Sequence, residues 1–246
     1  MDYKRLIVVP ARYNSTRFPG KLLASLNGKP VILWVLENLR KSKKADYLIV
    51  ATDDERIYNL VRKSGFRAAM TSPNHRSGTD RVAEVAEYFQ TLFVVNVQGD
   101  EPFIRAEIVD RIFEELEADP SADIVTPITP ISEEEAQDPN VVKVVVNKKG
   151  FALYFSRSPI PYNRSGKARY FKHIGVYGYR LTALFSFINL PPSSLEEAEG
   201  LEQLRALENG MRIKTILVEN YRGISIDTPE DLRRAEEYVK EKGSGL

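Results

Sequence analysis

Apolar and polar residues alternate along the first half of the chain in the rhythm of successive strands and helices. Residues 6–9 form an apolar run of strand length, and residues 30–40 place apolar side chains every three or four positions, as a helix does. The rhythm continues with predicted strands at 47–51, 66–70 and 92–97 and predicted helices at 55–64 and 82–89. Strands that alternate with helices in this way are typical of a parallel sheet built from β-α-β units.

The pattern changes after residue 127, where strands follow one another without long helices between them. A proline- and acid-rich stretch at 130–139 precedes β-branched runs at 141–146, 151–155 and 174–179. A helical pattern then returns at 195–208, followed by a strand at 213–218 and a helix at 229–240. We therefore predict a Rossmann-like three-layer α/β fold with a predominantly parallel sheet. Its body takes residues 1–129 and 194–246, and residues 130–193 form a small strand-rich subregion.

The composition is that of an ordinary globular protein. The 246 residues carry 35 basic and 34 acidic side chains, and the net charge of +1 gives no general affinity for nucleic acid or for an anionic membrane. The absence of cysteine excludes disulfides, thiolate nucleophiles and cysteine-based zinc sites, and two histidines make a histidine-rich metal site a poor hypothesis. We find neither a signal-peptide pattern nor an apolar run of membrane-spanning length, which predicts a cytoplasmic protein without membrane insertion.

A turn-rich loop directly after the first predicted strand concentrates positive charge. Residues 10–21 contain two prolines, one glycine and the cations Arg12, Arg17 and Lys21. Arginine can grip phosphate oxygens bidentately, and lysine acts as a point charge. The loop is therefore either a polyphosphate-binding segment or a solvated basic loop.

Three further groups of polar residues follow apolar strands, which is where open α/β sheets bind their ligands. Residues 71–81 can contact a base edge or a phosphate, or else Ser77 or Thr79 only caps the helix that follows. Asp100 follows a strand in an acidic turn and is either a Mg²⁺ ligand or part of an Asx turn. Asp227 likewise is either a metal ligand or the cap of the last helix.

The combination of these groups favours the chemical interpretations. Two strand-end carboxylates and a loop with three cations form the set that holds a nucleoside triphosphate with one or two Mg²⁺ ions, and such a set supports transfer at phosphorus. Neither G-x-x-x-x-G-K-[ST] nor G-x-G-x-x-G is present. P-loop ATPases and dinucleotide oxidoreductases therefore fit the sequence poorly.

Eight segments spread over nearly the whole chain are specific enough to compare with known families. They are 10–21, 51–53, 75–81, 96–102, 154–162, 172–179, 201–205 and 226–229. In this order they resemble the 3-deoxy-manno-octulosonate cytidylyltransferases, although any one of them would be a weak match. The resemblance implies a nucleotidyltransferase fold and an enzyme that joins CTP and 3-deoxy-D-manno-octulosonate (Kdo) into CMP-Kdo and pyrophosphate, before lipopolysaccharide assembly.

For this chain the resemblance implies a catalytic set of four residues. They are Arg12, Lys21, Asp100 and Asp227. The three cations of the loop, Arg17 included, would hold the triphosphate and offset charge as pyrophosphate leaves. The two aspartates would ligate Mg²⁺ between the α-phosphate and the sugar, whose anomeric hydroxyl would attack the α-phosphorus. The sequence offers no convincing protein base for this step.

The resemblance also implies two sets of ligand contacts. The nucleotide set is Pro10, Ala11, Arg12, Arg17, Lys21, Thr71, Arg76, Ser77, Gly78 and Asp100, with Ser77 and Gly78 as the foremost cytosine contacts. The sugar set is Gln98, Arg157, His173, Tyr177, Glu202 and Gln203, which would meet the carboxylate and hydroxyls of Kdo. Arg157 and His173 could instead be satisfied structural groups, and Glu202 and Gln203 could lie on a solvated helix face.

Two other functions stay open from the sequence. A CMP-sialic acid synthetase is the nearest rival, but that family is expected to depart from the segment 98–102, which is intact here and favours Kdo. A non-catalytic nucleotide-binding regulator would not need two metal carboxylates, so the presence of both Asp100 and Asp227 argues against it. We expect a homodimer, which the aromatic and apolar strands of 130–193 could seal, although these strands could equally pack in the core.

Overall fold

The computed structural model describes residues 4–89 and 91–242, which form two compact units. The first unit contains the residues up to Asp110 together with those from Arg222 onward, and the second unit runs from Arg111 to Tyr221. The second unit contains the range predicted as a strand-rich subregion, 130–193, and extends beyond it at both ends. The first unit is thus discontinuous in sequence.

The first part of the chain alternates short strands and helices, as predicted. Its elements are β1 (Lys4–Ala11), a 3-10 helix (Lys21–Leu23), β2 (Ser25–Leu26), β3 (Lys29–Pro30), α1 (Val31–Leu39), β4 (Tyr47–Thr52), α2 (Glu55–Lys63), β5 (Arg67–Met70), α3 (Gly78–Glu87), β6 (Thr91–Val97) and α4 (Ala106–Ala118). Four of the strands form a parallel sheet in the order β5-β4-β1-β6. The α/β class and its parallel sheet are therefore confirmed.

Burial explains why β1 has a continuous apolar run in the sequence. Residues 6–9 have no exposed surface, and the strand pairs with β4 on one side and with β6 on the other. A strand that is buried on both faces has no polar face with which to alternate. The strand extends two residues further than predicted, so Pro10 and Ala11 belong to β1 and the loop begins at Arg12.

The second unit is built around a strand that the sequence pattern did not reveal. Its elements are β7 (Ile124–Ile131), α5 (Glu133–Ala136), β8 (Lys143–Val146), β9 (Ala152–Ser156), β10 (Tyr170–His173), β11 (Val176–Arg180), α6 (Leu181–Ile188), α7 (Ser194–Glu199), α8 (Gln203–Glu208) and β12 (Ile213–Leu217). β12 runs parallel to β7, and β10 and β11 run antiparallel to it. β8 and β9 extend the antiparallel part beyond β10.

Two prolines explain why the sequence pattern did not predict β7. Pro127 and Pro130 lie inside the strand, and proline cannot donate to a ladder. The carbonyl of Pro127 still accepts a hydrogen bond from the Ile174 N–H at 3.0 Å. A strand can therefore include proline where its carbonyl group, and not its N–H, supplies the pairing.

The helix predicted at 195–208 is two helices, α7 and α8. Gly200 ends α7 with a φ of 62°, in the left-handed region that favours glycine. The helical periodicity on both sides was correct, but the prediction missed the break. A glycine inside a helical pattern marked a helix end here.

After the second unit the chain returns to the first and continues into α9 (Pro229–Lys242). Residues 224–226 have no regular structure. The N–H of Ile226 donates to the Asp100 carbonyl at 2.9 Å, and its side chain is fully buried in a cluster with Phe103 and Val239. Across residues 4–89 and 91–242, no helix combines the length and the apolar character that a membrane span requires.

We predict that Gly200→Ala lowers the free energy of unfolding by about 1 kcal/mol, because an L-residue is strained in the left-handed region. A Cβ at this position would meet no atom within 4 Å, so crowding adds nothing to the cost. Gly175→Ala is the matched control, since a Cβ there also meets no atom within 4 Å and its φ is not left-handed. Urea unfolding of both variants measures the difference, and equal stabilities would contradict the prediction.

Candidate functional site

The loop that follows β1 is closed by its own contacts and leads directly into the 3-10 helix. The N–H of Gly20 donates to the Tyr13 carbonyl at 2.8 Å, and the Arg56 guanidinium lies 3.3 Å from the centre of the Tyr13 ring. The chain then turns so that Lys21 begins the 3-10 helix with only 11% of its side chain exposed. A buried lysine at the end of a closed loop does not fit an idle basic surface.

A cavity of about 360 Å³ lies against this loop in the first unit. Its lining residues are Pro10, Arg12, Asn14, Ser15, Thr16, Lys21, Leu22, Arg76, Ser77, Gly78, Gln98, Gly99 and Asp100. β1 and β6 are parallel neighbours, so the loops that follow them meet at the same edge of the sheet. That edge is where α/β folds bind their ligands.

Arg12 carries a buried donor without a partner in the described part of the chain. Its Nη2 atom is shielded from solvent and forms no hydrogen bond there. A buried polar group left unpaired costs about 1–3 kcal/mol, and more when it is charged. Because Arg12 also lines the cavity, an anionic oxygen bound in the cavity would supply the acceptor that Nη2 lacks.

Two side chains of α3 anchor the segment that precedes this helix. Arg81 is fully buried, donates to the Thr71 hydroxyl and pairs with Asp53 at 2.8 Å. Glu84, three residues further along α3, accepts a hydrogen bond from the Ser72 N–H at 3.0 Å. The beginning of the predicted cytosine-binding segment is therefore fixed from behind by charged groups of the helix.

Ser77 is the N-cap of α3, which is one of the two roles considered from the sequence. Its Oγ accepts from the Asp80 N–H at 3.1 Å, and its own N–H donates to the Asp80 carboxylate at 2.9 Å. Capping does not remove it from the cavity, which Ser77 and Gly78 both line. The first N–H groups of a helix have no intrahelical acceptor, so this helix start offers donors to an oxygen atom of a ligand.

Two aspartates that are far apart in the sequence meet at one lysine. Asp100 follows β6 and Asp227 precedes α9, and the Nζ atom of Lys21 donates to both carboxylates, at 2.9 Å in the case of Asp227. Arg17 forms a further ion pair with Asp227 at 3.0 Å. The charged residues expected to act together therefore do lie together.

The backbone behind the two aspartates explains their proximity. The hydrogen bond from the Ile226 N–H to the Asp100 carbonyl joins the two segments directly, and the Ser225 hydroxyl contacts the Glu101 carboxylate. Gly99 lets the turn after β6 approach α1, because a Cβ at this position would lie 3.1 Å from a methyl group of that helix. Close packing thus sets the spacing of the carboxylates.

The start of α9 shows that Asp227 is not merely a helix cap. Thr228 and Asp231 bond reciprocally, since the Thr228 N–H donates to the Asp231 carboxylate at 2.9 Å and the Asp231 N–H donates to the Thr228 hydroxyl at 3.2 Å. The carboxylate of Asp227 instead pairs with Lys21 and Arg17. The structure therefore corrects the capping interpretation and leaves Asp227 available for chemistry.

The charges around Lys21 are unevenly balanced. Burial raises the pKa of Asp100, and the charge and hydrogen bond of Lys21 only partly oppose this effect. Burial also acts to raise the pKa of Asp227, but Lys21 and Arg17 bring it below its ordinary value. Burial acts to lower the pKa of Lys21, yet the two carboxylates raise it, so its ammonium stays charged. A further cation near Asp100 would be stabilised.

This donor set fits a magnesium ion. Mg²⁺ prefers oxygen ligands and usually takes one or two protein carboxylates together with water and phosphate oxygens. Asp100 and Asp227 converge on the Lys21 ammonium, and burial disfavours the charged form of Asp100, which a divalent cation beside it would offset. Within residues 4–89 and 91–242, no group of three or more histidine or carboxylate side chains is placed to hold a metal. Water and a bound phosphate would therefore have to complete the coordination.

His173, in β10 of the second unit, is buried and neutral. Its Nε2 lies 2.9 Å from the hydroxyl of Thr126, which donates to the Val176 carbonyl at 2.8 Å. A hydroxyl has one hydrogen, so the Nε2–H of His173 donates to it and Nδ1 is left as an acceptor. Burial lowers the pKa of His173 to about 3. The ring can therefore accept from a sugar hydroxyl, but it brings no positive charge to a sugar carboxylate.

Other residues of the predicted sugar set lie near His173 or on neighbouring elements of the second unit. The rings of His173 and Tyr177 have their centres 5.1 Å apart. Burial raises the pKa of Tyr177, and nearby Glu202 adds to the shift, so the phenol keeps its proton. Gln203 begins α8 and is buried, which shows that it does not lie on a solvated face. Arg157 follows β9, and its N–H donates to the Glu199 carboxylate at 2.9 Å.

Comparison with known proteins agrees with this geometry. The model of the cytidylyltransferase family matches residues 6–213. A 3-deoxy-manno-octulosonate cytidylyltransferase from Thermodesulfovibrio yellowstonii is 48% identical over 248 residues, covering 94% of this chain and 96% of the relative. One from Chloroherpeton thalassium is 46% identical over 244 residues, covering 97% of this chain and 99% of the relative. The chain belongs to the 3-deoxy-manno-octulosonate cytidylyltransferase family.

A solved structure extends this result to the fold. A CMP:2-keto-3-deoxy-manno-octonic acid synthetase complexed with CTP superposes on this chain with a TM-score of 0.93 at 42% sequence identity, and the match covers 98% of this chain and 100% of that one. The predicted Rossmann-like nucleotidyltransferase fold and the predicted family are therefore confirmed. As a member of the 3-deoxy-manno-octulosonate cytidylyltransferase family, the chain is a nucleotidyltransferase.

Most of the nucleotide set predicted for a 3-deoxy-manno-octulosonate cytidylyltransferase lines the cavity. The members that do so are Pro10, Arg12, Lys21, Arg76, Ser77, Gly78 and Asp100, and Gln98 of the sugar set joins them. Ala11 is buried in β1, and Thr71 is buried against Arg81, so both support the site from behind. Arg17 and Asp227 join the cavity residues through ion pairs. The ligand contacts assigned to these residues stay predictions.

Several residues of this site, Asn14 and Arg81 among them, had no assigned role in the sequence. Asn14 lines the cavity, and its place in the cationic loop was a signal that could have included it. Arg81 organises the segment before α3 from a fully buried position. A charged residue in a sequence is expected at the surface, so only tertiary structure shows the burial of Arg81.

We predict that the buried, neutral His173 makes stability fall by about 2 kcal/mol between about pH 7 and about pH 5. The pKa in the folded state lies below the unfolded value of about 6.5, so only the unfolded chain takes up the proton in this range and stability is lost as the pH falls. Urea unfolding at both pH values checks this loss. His173→Gln should flatten the pH dependence, and equal slopes for wild type and His173→Gln would refute the prediction.

Proposed function

We propose that this protein transfers CMP from CTP to the anomeric hydroxyl of Kdo, giving CMP-Kdo and pyrophosphate. The observation that carries the proposal is the cavity of the first unit, which Arg12, Lys21 and Asp100 line together. The relative solved with CTP supports the nucleotide, and the relatives named for 3-deoxy-manno-octulosonate support the sugar.

The cations around the cavity bind the triphosphate. Arg12 donates from Nη2, which gains the acceptor that it lacks in the protein alone. Lys21 and Arg17 hold positive charge beside the two carboxylates, and Arg76 adds an exposed cation at the cavity. As pyrophosphate leaves, negative charge grows on the departing oxygens, and fixed cations stabilise it without rearrangement.

Asp100 and Asp227 would hold Mg²⁺ in this enzyme. When bound there, the ion would neutralise phosphate charge and make the attacking hydroxyl more acidic. The protein's own part is to fix the two carboxylates, through the Ile226 hydrogen bond and the close approach at Gly99. Lys21 donates to both carboxylates and keeps them oriented toward one point.

Kdo is an acidic polyol, and the proposed contacts divide between its hydroxyls and its carboxylate. The amide nitrogen of Gln98 donates to Asn96 at 3.0 Å, which leaves the Gln98 oxygen as an acceptor in the cavity. In the second unit, His173 accepts through Nδ1 and Tyr177 keeps a proton to donate. Arg157 supplies the positive charge that suits the carboxylate.

The expected setting of the enzyme is also part of this proposal. An activated sugar of this kind serves lipopolysaccharide biosynthesis, and we place its synthesis in the cytoplasm. A homodimer is proposed because two large apolar or aromatic side chains within 130–193 are well exposed, Leu153 at 60% and Tyr162 at 88%. Charge gives no reason to expect nucleic acid as a partner, since the net charge is +1.

Pyrophosphate release from CTP and Mg²⁺, with Kdo or N-acetylneuraminate offered in turn, tests the proposal. We expect release with Kdo and little with N-acetylneuraminate. Release with N-acetylneuraminate alone would transfer the assignment to a CMP-sialic acid synthetase. Saturable CTP binding without release from either sugar would indicate a nucleotide-binding regulator.

We predict that Asp100→Asn and Asp227→Asn each lower kcat by at least about 100-fold while the Kd for CTP changes far less, because the metal contributes most as charge develops. Steady-state assays of pyrophosphate release measure kcat, and a CTP titration measures the Kd. Glu230→Gln is a control near Asp227, since this exposed carboxylate pairs with Arg233 and lies outside the site. Equal losses in kcat and CTP affinity would instead point to a structural role.

Arg12→Ala should weaken both CTP binding and turnover, since it removes a phosphate contact from the ground state as well as from the transition state. The loss of a charge-assisted hydrogen bond predicts a Kd for CTP higher by about 10–100-fold. Arg67→Ala is the control, because Arg67 is an exposed arginine at the start of β5 and packs over Tyr47. An unchanged CTP affinity in Arg12→Ala would count against the proposed phosphate contact.

A further inference from the structure

A lysine of the second unit is buried where no function has been assigned. Lys143 begins β8, pairs in register with Lys172 of β10 and has no exposed surface. Removing a charged ammonium from water is costly, and an apolar side chain of the same length would avoid that cost. Burial accordingly lowers the pKa of Lys143. The burial of the Lys143 ammonium therefore calls for a functional explanation.

The contacts of the ammonium point to Arg157. The Nζ atom of Lys143 donates to two backbone carbonyls, that of Asp138 at 2.8 Å and that of Arg157. The carbonyl of Pro139, one residue beyond Asp138, accepts from Nη1 of Arg157 at 3.2 Å. Lys143 therefore joins the backbone of Arg157 to the loop that also receives the Arg157 guanidinium.

Glu199 fixes Arg157 from the other side. Its carboxylate accepts from the Arg157 N–H at 2.9 Å and from the Ser156 hydroxyl at 2.6 Å, and its backbone carbonyl accepts from Nε of Arg157 at 2.8 Å. Lys143 and Glu199 thus hold the C=O and the N–H of the same residue. These opposite charges lie on β8 and α7, so two elements determine the position of one arginine.

These contacts orient the Arg157 guanidinium but occupy only some of its N–H donors. Arginine has five N–H donors, and the protein contacts of Arg157 use one on Nε and one on Nη1. Within residues 4–89 and 91–242 the other three donors, including both on Nη2, have no partner and are left for a ligand. Because Nη2 keeps both of its donors, the charged guanidinium can still contact a carboxylate.

We propose that Lys143 is a positioning residue that, opposite Glu199, fixes Arg157 to receive the carboxylate of the acidic sugar. This inference rests on the proposed function, since it takes Kdo as the substrate. Lys143 itself is too deeply buried to touch the sugar. Its effect on the reaction is transmitted through the backbone of Arg157.

Lys143→Met tests this role, because methionine keeps the length of the side chain without its charge. We expect the KM for Kdo to rise by about tenfold or more, as for the loss of one charge-assisted contact, while the Kd for CTP stays within about twofold. Hydrogen exchange at the Arg157 amide should accelerate in the same variant. Lys214→Met is the matched control in the same unit, since Lys214 is a largely buried lysine that pairs with Glu115 and Asp119.

The double variant Lys143→Met/Arg157→Ala distinguishes an effect of Lys143 through Arg157 from an independent effect of Lys143 on the structure. If Lys143 acts through Arg157, the double variant raises the KM for Kdo no more than Arg157→Ala alone does. Additive effects, or an unchanged KM in a folded Lys143→Met protein that turns over Kdo as wild type, would overturn this inference and leave the proposed function intact. Wild-type protein that releases no pyrophosphate with Kdo would overturn both.

Discussion

The ammonium of Lys21 is the interaction on which the arrangement of the first unit depends. It contacts carboxylates from the turn after β6 and from the segment before α9, and it is itself delivered by the loop after β1. Without that charge, Asp227 would face the less exposed Asp100, and two like charges repel more strongly beside a protein surface than in bulk water. Three distant segments are therefore compatible only because a cation lies between them.

The two units present different chemistry at their predicted ligand contacts. The cavity of the first unit is bordered by charged groups, which suits a polyanion that arrives with a metal ion. The predicted sugar contacts of the second unit include a neutral histidine and a protonated tyrosine, which suit hydroxyl groups. Arg157 is the charged residue among these contacts, and Lys143 and Glu199 fix its backbone. Under the proposed function, the charged residues lie where the ligands carry charge.

The sequence predicted those strands and helices whose burial is visible in the local order of apolar and polar residues. The apolar run of β1 and the periodicity of α1 identified their elements because burial on two faces or on one stripe leaves a direct trace in the sequence. The sequence did not predict β7, because its prolines are typical of a loop. It also did not predict the break at Gly200, because the helical pattern continues on both sides of this residue. Strand-end position pointed to Asp100 and Asp227, but their meeting at Lys21 depends on tertiary packing around Ile226. The burial of Arg81 and Lys143 left no sequence trace at all.

The discontinuity of the first unit has a consequence for how the protein is made on the ribosome. Every residue that lines the cavity belongs to the first hundred residues of the chain, whereas Asp227 is translated only after the whole second unit. A growing chain therefore holds the residues of the cationic pocket early, but it lacks the second carboxylate and the packing of Ala235 and Val239 against Leu26 and Phe103 until α9 is made. A chain that ended before residue 222 would keep the lining residues but would lack Asp227 and part of the buried core of the first unit.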